Sequence, residues 1–254
     1  MPIQLLGISK VLIVVEASEQ ETFDSPSVIR MVSALKQAIA TSTDVPITVQ
    51  AIAVNTLQSN SNLELNSTWT QDWGAKDVLV CPLTLNVPPN LPFRNEAIYK
   101  ACRDVSGLRQ QVAHQIGCET GNGNFYLPLV LTAKGPLYGE VIAIAEEMPE
   151  NLSSNLNYYQ PFHLSDAKRQ QIYQIGHRLL QLLSAPPAAY LMQFGFKSEG
   201  SICFDRLWPF PAAPAIASLG IQEPNLFACH WYCLTNIPIL DLTIIPAVAS
   251  PTSS

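Results

Sequence analysis

The most concentrated group of reactive side chains lies in the segment 229–233, which reads Cys-His-Trp-Tyr-Cys. Residues four apart share one face of a helix, so Cys229 and Cys233 could point toward the same metal ion. His230 lies about 100° around such a helix from Cys229, which is a poor position for a third ligand. Because no second CxxC or HxxxH pair is present to complete four ligands, we interpret both thiols as core residues and predict no metal site.

The histidines do not form a pattern typical of nucleophilic catalysis. A serine or cysteine nucleophile needs a histidine base and an acid that orients this base. No histidine of the sequence lies near a GxSxG turn or a comparable motif. The four histidines are His114, His163, His177 and His230. The sequence therefore disfavours a hydrolase of this kind.

Glycine-rich phosphate loops are missing from the places where nucleotide sites need them. Such sites place glycines between a strand and the helix that follows it. The loop 17–24, after the first predicted strand, has no glycine and carries three acidic residues, which would repel a phosphate. Gly121 and Gly123 precede a strand rather than a helix, and we interpret them as a plain hinge. These features disfavour a Rossmann-type or P-loop nucleotide site.

Two carboxylates stand at the ends of predicted strands. Glu140 begins one strand and Asp205 ends another. Carboxylates at strand ends can hold magnesium. Asp205 is followed by Arg206, however, and these two residues could equally form a local ion pair. Both interpretations stay open at this point.

These residues must be positioned by a chain in which strands and helices alternate. Continuous apolar runs rich in β-branched residues predict strands, and apolar residues three or four apart predict helices. The predicted strands are residues 11–16, 47–54, 77–82, 125–133, 140–147, 188–196, 201–207 and 243–248, and the predicted helices are 26–40, 95–117, 165–183 and 225–234. Long loops are predicted at 56–73 and 86–92. The fold class is accordingly α/β or α+β.

The segment 119–124 contains glycine and asparagine but no apolar residue, which is typical of a connection between domains. We expect an N-terminal strand–helix–strand domain at 1–120, a second domain at 125–248 and a tail at 249–254. The role of the first domain does not follow from this order of elements, because many unrelated functions share it.

The composition excludes several classes of protein. Only 13% of the 254 residues are charged, about half the usual share of roughly 25%. This excludes disorder and favours a protein partner or a homo-oligomer, because few charges remain for a solvated surface. The 14 basic residues form no cluster, which disfavours nucleic-acid binding. Without an apolar run of spanning length or a cleavable leader, we expect a soluble, cytoplasmic protein with reduced cysteines.

Three segments near the C-terminus resemble a known family. They are 204–211 (FDRLWPFP), 227–230 (FACH) and 237–239 (IPI). They resemble the C-terminal end of the carboxyaminoimidazole ribonucleotide synthases of purine biosynthesis, which are ATP-grasp enzymes. That family has a strand with Asn-Glu-φ-Ala-Pro-Arg (φ is apolar), a helix with Phe-Glu-φ-His-φ-Arg, and then Leu-Pro-Leu. The resemblance extends back to residue 125 and implies an ATP-grasp-like domain over 125–248.

The resemblance also implies which residues would bind ATP and Mg²⁺. By position, the magnesium-binding glutamate of the family is Gln193, and its Asn-Glu pair is Asp205-Arg206. Gln193, Asp205 and Arg206 are therefore the cofactor-binding candidates. A single carboxylate cannot clamp two Mg²⁺ ions against a triphosphate, and Arg206 places positive charge where a metal ligand should stand. The arginine of the family is replaced by Phe210, and its lid with the ATP-binding lysines is not recognisable.

Three functions are compatible with this resemblance. The first is a pseudoenzyme that acts in binding or regulation, through an apolar segment at 208–220 that is either an exposed docking loop or an irregular connection inside the core. The second is a working ATP-dependent carboxylate–amine ligase, with ATP and Mg²⁺ as cofactors and Glu140, Asp205 and His230 as catalytic candidates. The third is a sensor that binds a nucleotide or another small ligand without hydrolysing it.

Overall fold

The computed structural model describes residues 7–16, 25–59, 75–145 and 158–246. Within these ranges the chain forms a three-stranded sheet, a seven-stranded sheet and a two-stranded ribbon, together with helices. The predicted mixed α/β class is confirmed. Among the helices of these ranges, none combines the length and the apolar character that a membrane-spanning helix needs.

The N-terminal sheet is parallel, with β1 (Lys10–Val15) between β2 (Thr48–Ala53) and β3 (Val78–Pro82). The last five residues of β1 are fully buried. A strand covered on both faces needs a continuous apolar run, which is why this one reads VLIVV. Helix α1 (Pro26–Thr41) connects β1 to β2. Because the strands are parallel, their carboxyl ends meet at one edge, and the order β2-β1-β3 opens a crevice there.

The connection after β2 differs from the prediction. The chain turns directly into a short helix, α2 (Val54–Ser59), where the sequence predicts the end of a strand and the start of a loop. The rest of the predicted loop 56–73 lies outside the described residues. Apolar content alone therefore placed the end of this strand one residue too late.

The single helix predicted from 95 to 117 is interrupted. It consists of α3 (Glu96–Arg103), α4 (Val105–Gln111) and one π-helical turn, Val112–Ile116. Asp104 leaves the helical conformation, and its carboxylate accepts a hydrogen bond of 2.9 Å from the backbone N–H of Gly107. A short acidic side chain competes with helix propagation in this way, because it caps the following helix instead of continuing the preceding one.

The second sheet has the strand order β4-β10-β9-β5-β7-β8, and β6 pairs with β5. Its strands are β4 (Glu119–Thr120), β5 (Phe125–Thr132), β6 (Gly135–Tyr138), β7 (Val141–Ile144), β8 (Tyr158–Phe162), β9 (Ala188–Phe196) and β10 (Ile202–Trp208). Helix α5 (Asp166–Leu182) packs against β5 at Gly176, where a Cβ atom would come within 2.8 Å of the Leu129 side chain.

Strand β8 was not predicted. Its fourth residue is Pro161, and proline has no N–H to donate to a neighbouring strand. The sheet places β8 at its edge, where that missing donor costs little. The neighbouring predicted strand 140–147 ends at Ile144, and residues 146 and 147 lie outside the described ranges.

The two halves of the chain pack against each other through helices. Helix α6 (Leu226–Thr235) contacts α1, and the buried Trp231 donates a hydrogen bond of 2.7 Å from Nε1 to Oγ of Ser42. The ribbon that flanks α6 is formed by β11 (Gln222–Glu223) and β12 (Thr243–Ile244). Strand β12 is shorter than the predicted strand 243–248, of which residues 247 and 248 are not described.

The interpretation of segment 119–124 as a plain hinge is wrong. Strand β4 pairs with β10, and the N–H of Gly121 donates to the carbonyl of Phe204 at 2.9 Å. The N–H of Gly123 donates to the Asp205 carboxylate at 3.0 Å. The segment is therefore bonded into the second sheet by its own backbone. The division into domains at 1–120 and 125–248 stays a prediction.

Of the two interpretations of segment 208–220, the exposed docking loop is wrong. Phe210 is only 2% exposed, and its ring stacks on Tyr99 with 5.8 Å between centroids. The following residues form a 3₁₀ helix, Ala213–Ser218, of which four residues are buried. Prolines prevent a regular ladder in this segment, but its apolar side chains still gain from burial. The segment is an irregular connection inside the core.

Among the glycines that the structure describes, Gly123 makes the closest approach to backbone atoms of another strand. A Cβ atom there would lie 2.0 Å from the carbonyl carbon and oxygen of Phe194, which are backbone atoms and cannot rotate away. We expect Gly123→Ala to lower the free energy of unfolding by about 3 kcal/mol or more, measured by urea denaturation.

Gly121→Ala is the matched control, because its Cβ would meet the Cys203 side chain at 3.3 Å and needs only a small adjustment. Equal stability of the two variants would contradict the close approach at Gly123.

Candidate functional site

A cleft lies between the carboxyl edge of the N-terminal sheet and the second sheet. It has an apolar chamber of about 550 Å³ and a polar chamber of about 410 Å³. Glu16, Asn86 and Arg103 line both chambers, so these three side chains form the junction. Crevices at the carboxyl ends of parallel strands are the usual ligand sites of such sheets, and this volume suits a small molecule.

The acidic side of the junction is held by residues that follow β1 and β3. Glu16 comes directly after β1, and Thr84 and Asn86 follow β3. The Thr84 hydroxyl donates to Oε2 of Glu16. Nδ2 of Asn86 donates to both carboxylate oxygens of Glu16, at 3.0 and 3.1 Å. The carboxylate is therefore fixed in position while Glu16 stays exposed to the cleft.

The basic side of the junction is Arg103, the last residue of α3. Its Nε donates to the carbonyl of Leu85 at 2.8 Å, and its Nη2 donates to the carbonyls of Leu85 and, at 3.3 Å, Val87. A planar guanidinium held on one edge presents its remaining N–H groups in a fixed direction. The junction thus combines one anchored anion with one anchored cation.

The second sheet contributes the opposite wall of the apolar chamber. Arg206 is the register partner of Gln193, which in turn pairs with Tyr126, so these three side chains lie on one face of the sheet. The Arg206 guanidinium lies 5.6 Å from the centre of the Trp208 ring. Tyr126 packs edge-on against Tyr158 at 5.7 Å. Burial, followed by the proximity of Tyr158, raises the pKa of the Tyr126 hydroxyl, so this wall stays uncharged apart from Arg206.

Asp205 lies at a bulge in β10 and is only 3% exposed. Its Oδ1 accepts a hydrogen bond from Nη2 of Arg109 at 2.5 Å and lies 3.4 Å from Nε of Arg206. Its Oδ2 accepts from the N–H of Gly123 at 3.0 Å. Nε of Arg109 also donates to the carbonyl of Asp205 at 2.9 Å. Of the two interpretations left open for this carboxylate, the ion pair is present, and it includes a second arginine.

Gln193, like Asp205, is fixed by hydrogen bonds within the protein. Its Nε2 donates to the carbonyl of Gly123 at 2.7 Å, and its Oε1 accepts from Nε1 of Trp208 at 3.3 Å. Gln193, Asp205 and Arg206 lie close together in the structure. The amide of Gln193 and the carboxylate of Asp205 are hydrogen-bonded within the protein, and Nε of Arg206 faces that carboxylate. In the described ranges, no three His, Cys, Asp or Glu residues form a group that could hold a metal. The residues at these positions do not fit Mg²⁺.

The other two catalytic candidates lie apart from this group. His230 is 2% exposed in α6, and its Nδ1 accepts a hydrogen bond of 3.3 Å from the N–H of Ala189. Burial lowers the pKa of His230 to about 4, so the ring is neutral at physiological pH. Glu140 lies 4.0 Å from Arg169. Neither lines the cleft.

The two thiols of α6 are buried, as the sequence interpretation expected. Burial raises the pKa of Cys229 and of Cys233, to about 12 for Cys233. The Cys229 Sγ is 3.3 Å from the carbonyl of Pro224. Protonated, buried thiols are poor ligands and poor nucleophiles.

The sequence patterns do not identify the residues of the junction. Glu16 is the last residue of the predicted strand 11–16, and no motif of the sequence includes Thr84, Asn86 or Arg103. The available signal was their position, since polar residues directly after buried parallel strands lie at the edge where ligands bind. Arg103 carried no signal of its own, because only the tertiary fold brings the end of α3 to this edge.

Comparison with known proteins identifies the fold. No family model and no curated protein sequence matches the chain. Among solved structures, carboxyaminoimidazole ribonucleotide synthase from Aspergillus clavatus, complexed with ATP, is similar with a TM-score of 0.60 and 8% identity, over 92% of this chain and 78% of that one. Glycinamide-RNase-transformylase T from Mycobacterium tuberculosis has a TM-score of 0.58 and 13% identity, over 93% and 82%.

A protein of the ATP-grasp superfamily from Archaeoglobus fulgidus has a TM-score of 0.56 and 9% identity, over 97% of this chain and 96% of its own. These identities are low, so the likeness concerns the fold alone. The chain has the fold of ATP-grasp proteins, and the expected resemblance is confirmed at that level. The likeness also includes the N-terminal half, which the sequence resemblance did not cover.

Removal of the Asp205 charge tests the ion pair. Asp205→Asn leaves Arg109 without its anion in a largely buried setting, and we expect the free energy of unfolding to fall by about 3 kcal/mol in urea denaturation. Asp166→Asn is the control, because Asp166 forms a comparable 2.7 Å contact with Arg169 but its side chain is 90% exposed. No measurable change is expected there. If Asp205→Asn left the free energy of unfolding unchanged, the ion pair would not stabilise the fold.

The buried neutral His230 makes stability depend on pH. Its pKa is about 4 in the folded chain against 6.5 in the unfolded chain, so the unfolded chain binds an extra proton between these values. Stability is therefore lost as the pH falls through this window, by about 2 kcal/mol between about pH 7.5 and about pH 5. His230→Gln should remove this part of the pH dependence in urea denaturation, and His177→Gln, on an exposed residue, should retain it. If the free energy of unfolding depended on pH equally in both variants, its pH dependence would not come from His230.

Proposed function

We propose that this chain is a non-catalytic protein with an ATP-grasp-like fold, which acts in binding or regulation by holding a small ligand in the cleft between its two sheets. The observation that carries the proposal is the state of Gln193, Asp205 and Arg206. These residues stand where the resemblance implies metal ligands. The Asp205 carboxylate is engaged with Arg109, with Nε of Arg206 and with the N–H of Gly123, and the Gln193 amide is engaged with Trp208 and with the carbonyl of Gly123.

A ligase of this kind needs carboxylate oxygens that are free to bind divalent cations and so offset the charge of the phosphates. Asp205 offers oxygens already bonded to Arg109 and Gly123. Arg206 adds a positive charge next to it, which repels a cation. An arginine can contact a phosphate, but it is not an exchangeable ion that bridges two of them.

The cleft supports the binding part of the proposal. Among the described residues, its two chambers leave room for a small molecule, and they are lined by groups that offer directional hydrogen bonds at the junction and apolar contact beside it. Pockets of this composition are typical ligand sites. A sensor needs nothing more than such a pocket and a fold that responds when it is filled.

An ATP-dependent ligase is the second candidate, favoured by the fold and by the relative that was crystallised with ATP. It would use Glu140, Asp205 and His230. These three do not converge, since Asp205 is ion-paired, His230 is buried against Ala189, and Glu140 faces Arg169. The geometry therefore favours the binding protein.

Three further expectations remain proposals. We expect a protein partner or a second copy of the chain, because charged residues are scarce. We expect no nucleic acid as a partner, because the basic residues form no cluster. We place the protein in the cytoplasm, where its six cysteines, all of them free and buried, would stay reduced.

Thermal denaturation with nucleotides tests the proposed function. The melting temperature is measured with ATP and with ADP, each with Mg²⁺ and with a chelator, and phosphate release is followed in the same samples. We expect no rise that depends on Mg²⁺ and no phosphate above the blank. A nucleotide present at about 100 times its Kd would stabilise the fold by about 2.7 kcal/mol, which is a readily measured shift.

A Mg²⁺-dependent shift together with phosphate release would overturn the proposal in favour of the ligase. A nucleotide shift without Mg²⁺ dependence and without phosphate release would support a nucleotide sensor, which is a form of the same proposal.

A further inference from the structure

The junction of the cleft carries opposite charges on fixed side chains, and one of its two chambers is apolar. From this arrangement we infer that the cleft binds a free α-amino acid with a ring-bearing side chain. The ammonium group would bind Glu16, the carboxylate would bind Arg103, and the side chain would occupy the apolar chamber. The inference rests on the proposed ligand-binding function of the cleft and names its ligand class.

Glu16 is suited to an ammonium group because its own partners are already in place. Thr84 and Asn86 donate to its two oxygens, and a carboxylate has lone pairs for further donors. The side chain is thus oriented before the ligand arrives, which lowers the entropy lost on binding. Glu16 lines both chambers, so a positive group bound to it would stand at the entrance of the apolar one.

Arg103 complements Glu16 at the same junction. Its Nε and Nη2 hold the backbone of Leu85 and Val87, which leaves Nη1 without a hydrogen-bond partner among the residues that the structure describes. Arginine N–H groups suit carboxylates in charge and geometry. Because Leu85 and Asn86 are neighbours in the chain, the same short segment positions Arg103 and, through Asn86, Glu16.

The apolar chamber fits a ring rather than a charged tail. It is bounded by Val28 and Met31 of α1, by Trp208 of β10, and by Tyr126 and Tyr158 on the second sheet. The one charged group on this wall, Arg206, is ion-paired with Asp205 and lies over the Trp208 ring. Aromatic side chains around a cavity of this size favour a flat apolar body.

The charges at the junction also exclude other ligands. A nucleoside triphosphate carries several negative charges that Glu16 would repel. A simple carboxylic acid would pair its charge with Arg103 but bring no positive group to Glu16, and a simple amine would do the reverse. A ligand that carries both charges can pair with both residues.

The test compares three compounds that share one ring. L-Phenylalanine has both charges, 3-phenylpropanoate lacks the amine and 2-phenylethylamine lacks the carboxylate, and the Kd of each is measured by calorimetry. We expect L-phenylalanine to bind at least about tenfold more tightly than either fragment, since each charged pair contributes on the order of a factor of ten.

Two variants assign the charges to their residues. Glu16→Gln keeps one oxygen for Thr84 or Asn86. We expect it to raise the Kd of L-phenylalanine about tenfold and to leave the Kd of 3-phenylpropanoate unchanged. Arg103→Lys keeps the positive charge but loses the planar guanidinium. We expect it to weaken the binding of L-phenylalanine and 3-phenylpropanoate but not the binding of 2-phenylethylamine. Glu96→Gln, on an exposed residue of α3 outside the cleft, is the matched control and should bind like the unchanged protein.

The inference is overturned if 3-phenylpropanoate binds as tightly as L-phenylalanine, if Glu16→Gln weakens both equally, or if none of the three compounds binds. Each of these results would leave the absence of ATP-dependent catalysis standing, because that is measured separately by phosphate release. Conversely, phosphate release with Mg²⁺-ATP would remove the non-catalytic function without deciding which ligand the cleft holds.

Discussion

The buried carboxylate of Asp205 is the group on which one wall of the cleft depends. An anion removed from water must find partners, and here it finds Arg109, Arg206 and the N–H of Gly123. Those contacts fix helix α4, the segment before β5 and the bulge of β10 against one another. Gln193 and Trp208 are then aligned through the carbonyl of Gly123, so the wall of the cleft follows from how one charge is neutralised.

This solution is chemically different from a metal site built at the same positions. A divalent cation can leave and exchange, and it brings charge that a substrate can share. A guanidinium is covalently part of the chain, so its charge stays where the fold puts it. The sheets follow the ATP-grasp fold, while Gln193 and Asp205 are hydrogen-bonded into the framework of the protein.

The apolar pattern of the sequence predicted the strands and helices that depend mainly on contacts between neighbouring residues. The apolar run of β1, the spacing of α1 and α6 and the long central strands β5 and β9 could all be read from the sequence. The errors concern contacts made at long range. Pro161 belongs to a strand because the sheet places it at an edge, and Phe210 is buried because Tyr99, far away in the chain, lies beside it. Glu16 and Arg103 meet only in the folded protein, so no motif marks their junction.

The hydrogen bond from Trp231 to Ser42 joins positions 189 residues apart. It belongs to the packing of α6 on α1. Closing so long a loop is costly in entropy, and contacts of this separation slow folding. The N-terminal sheet can pair its strands early, but one flank of α1 stays uncovered until α6 has folded. During synthesis the chain therefore exposes apolar surface on α1 until α6 has emerged from the ribosome, and in this period a chaperone would have a natural place to bind.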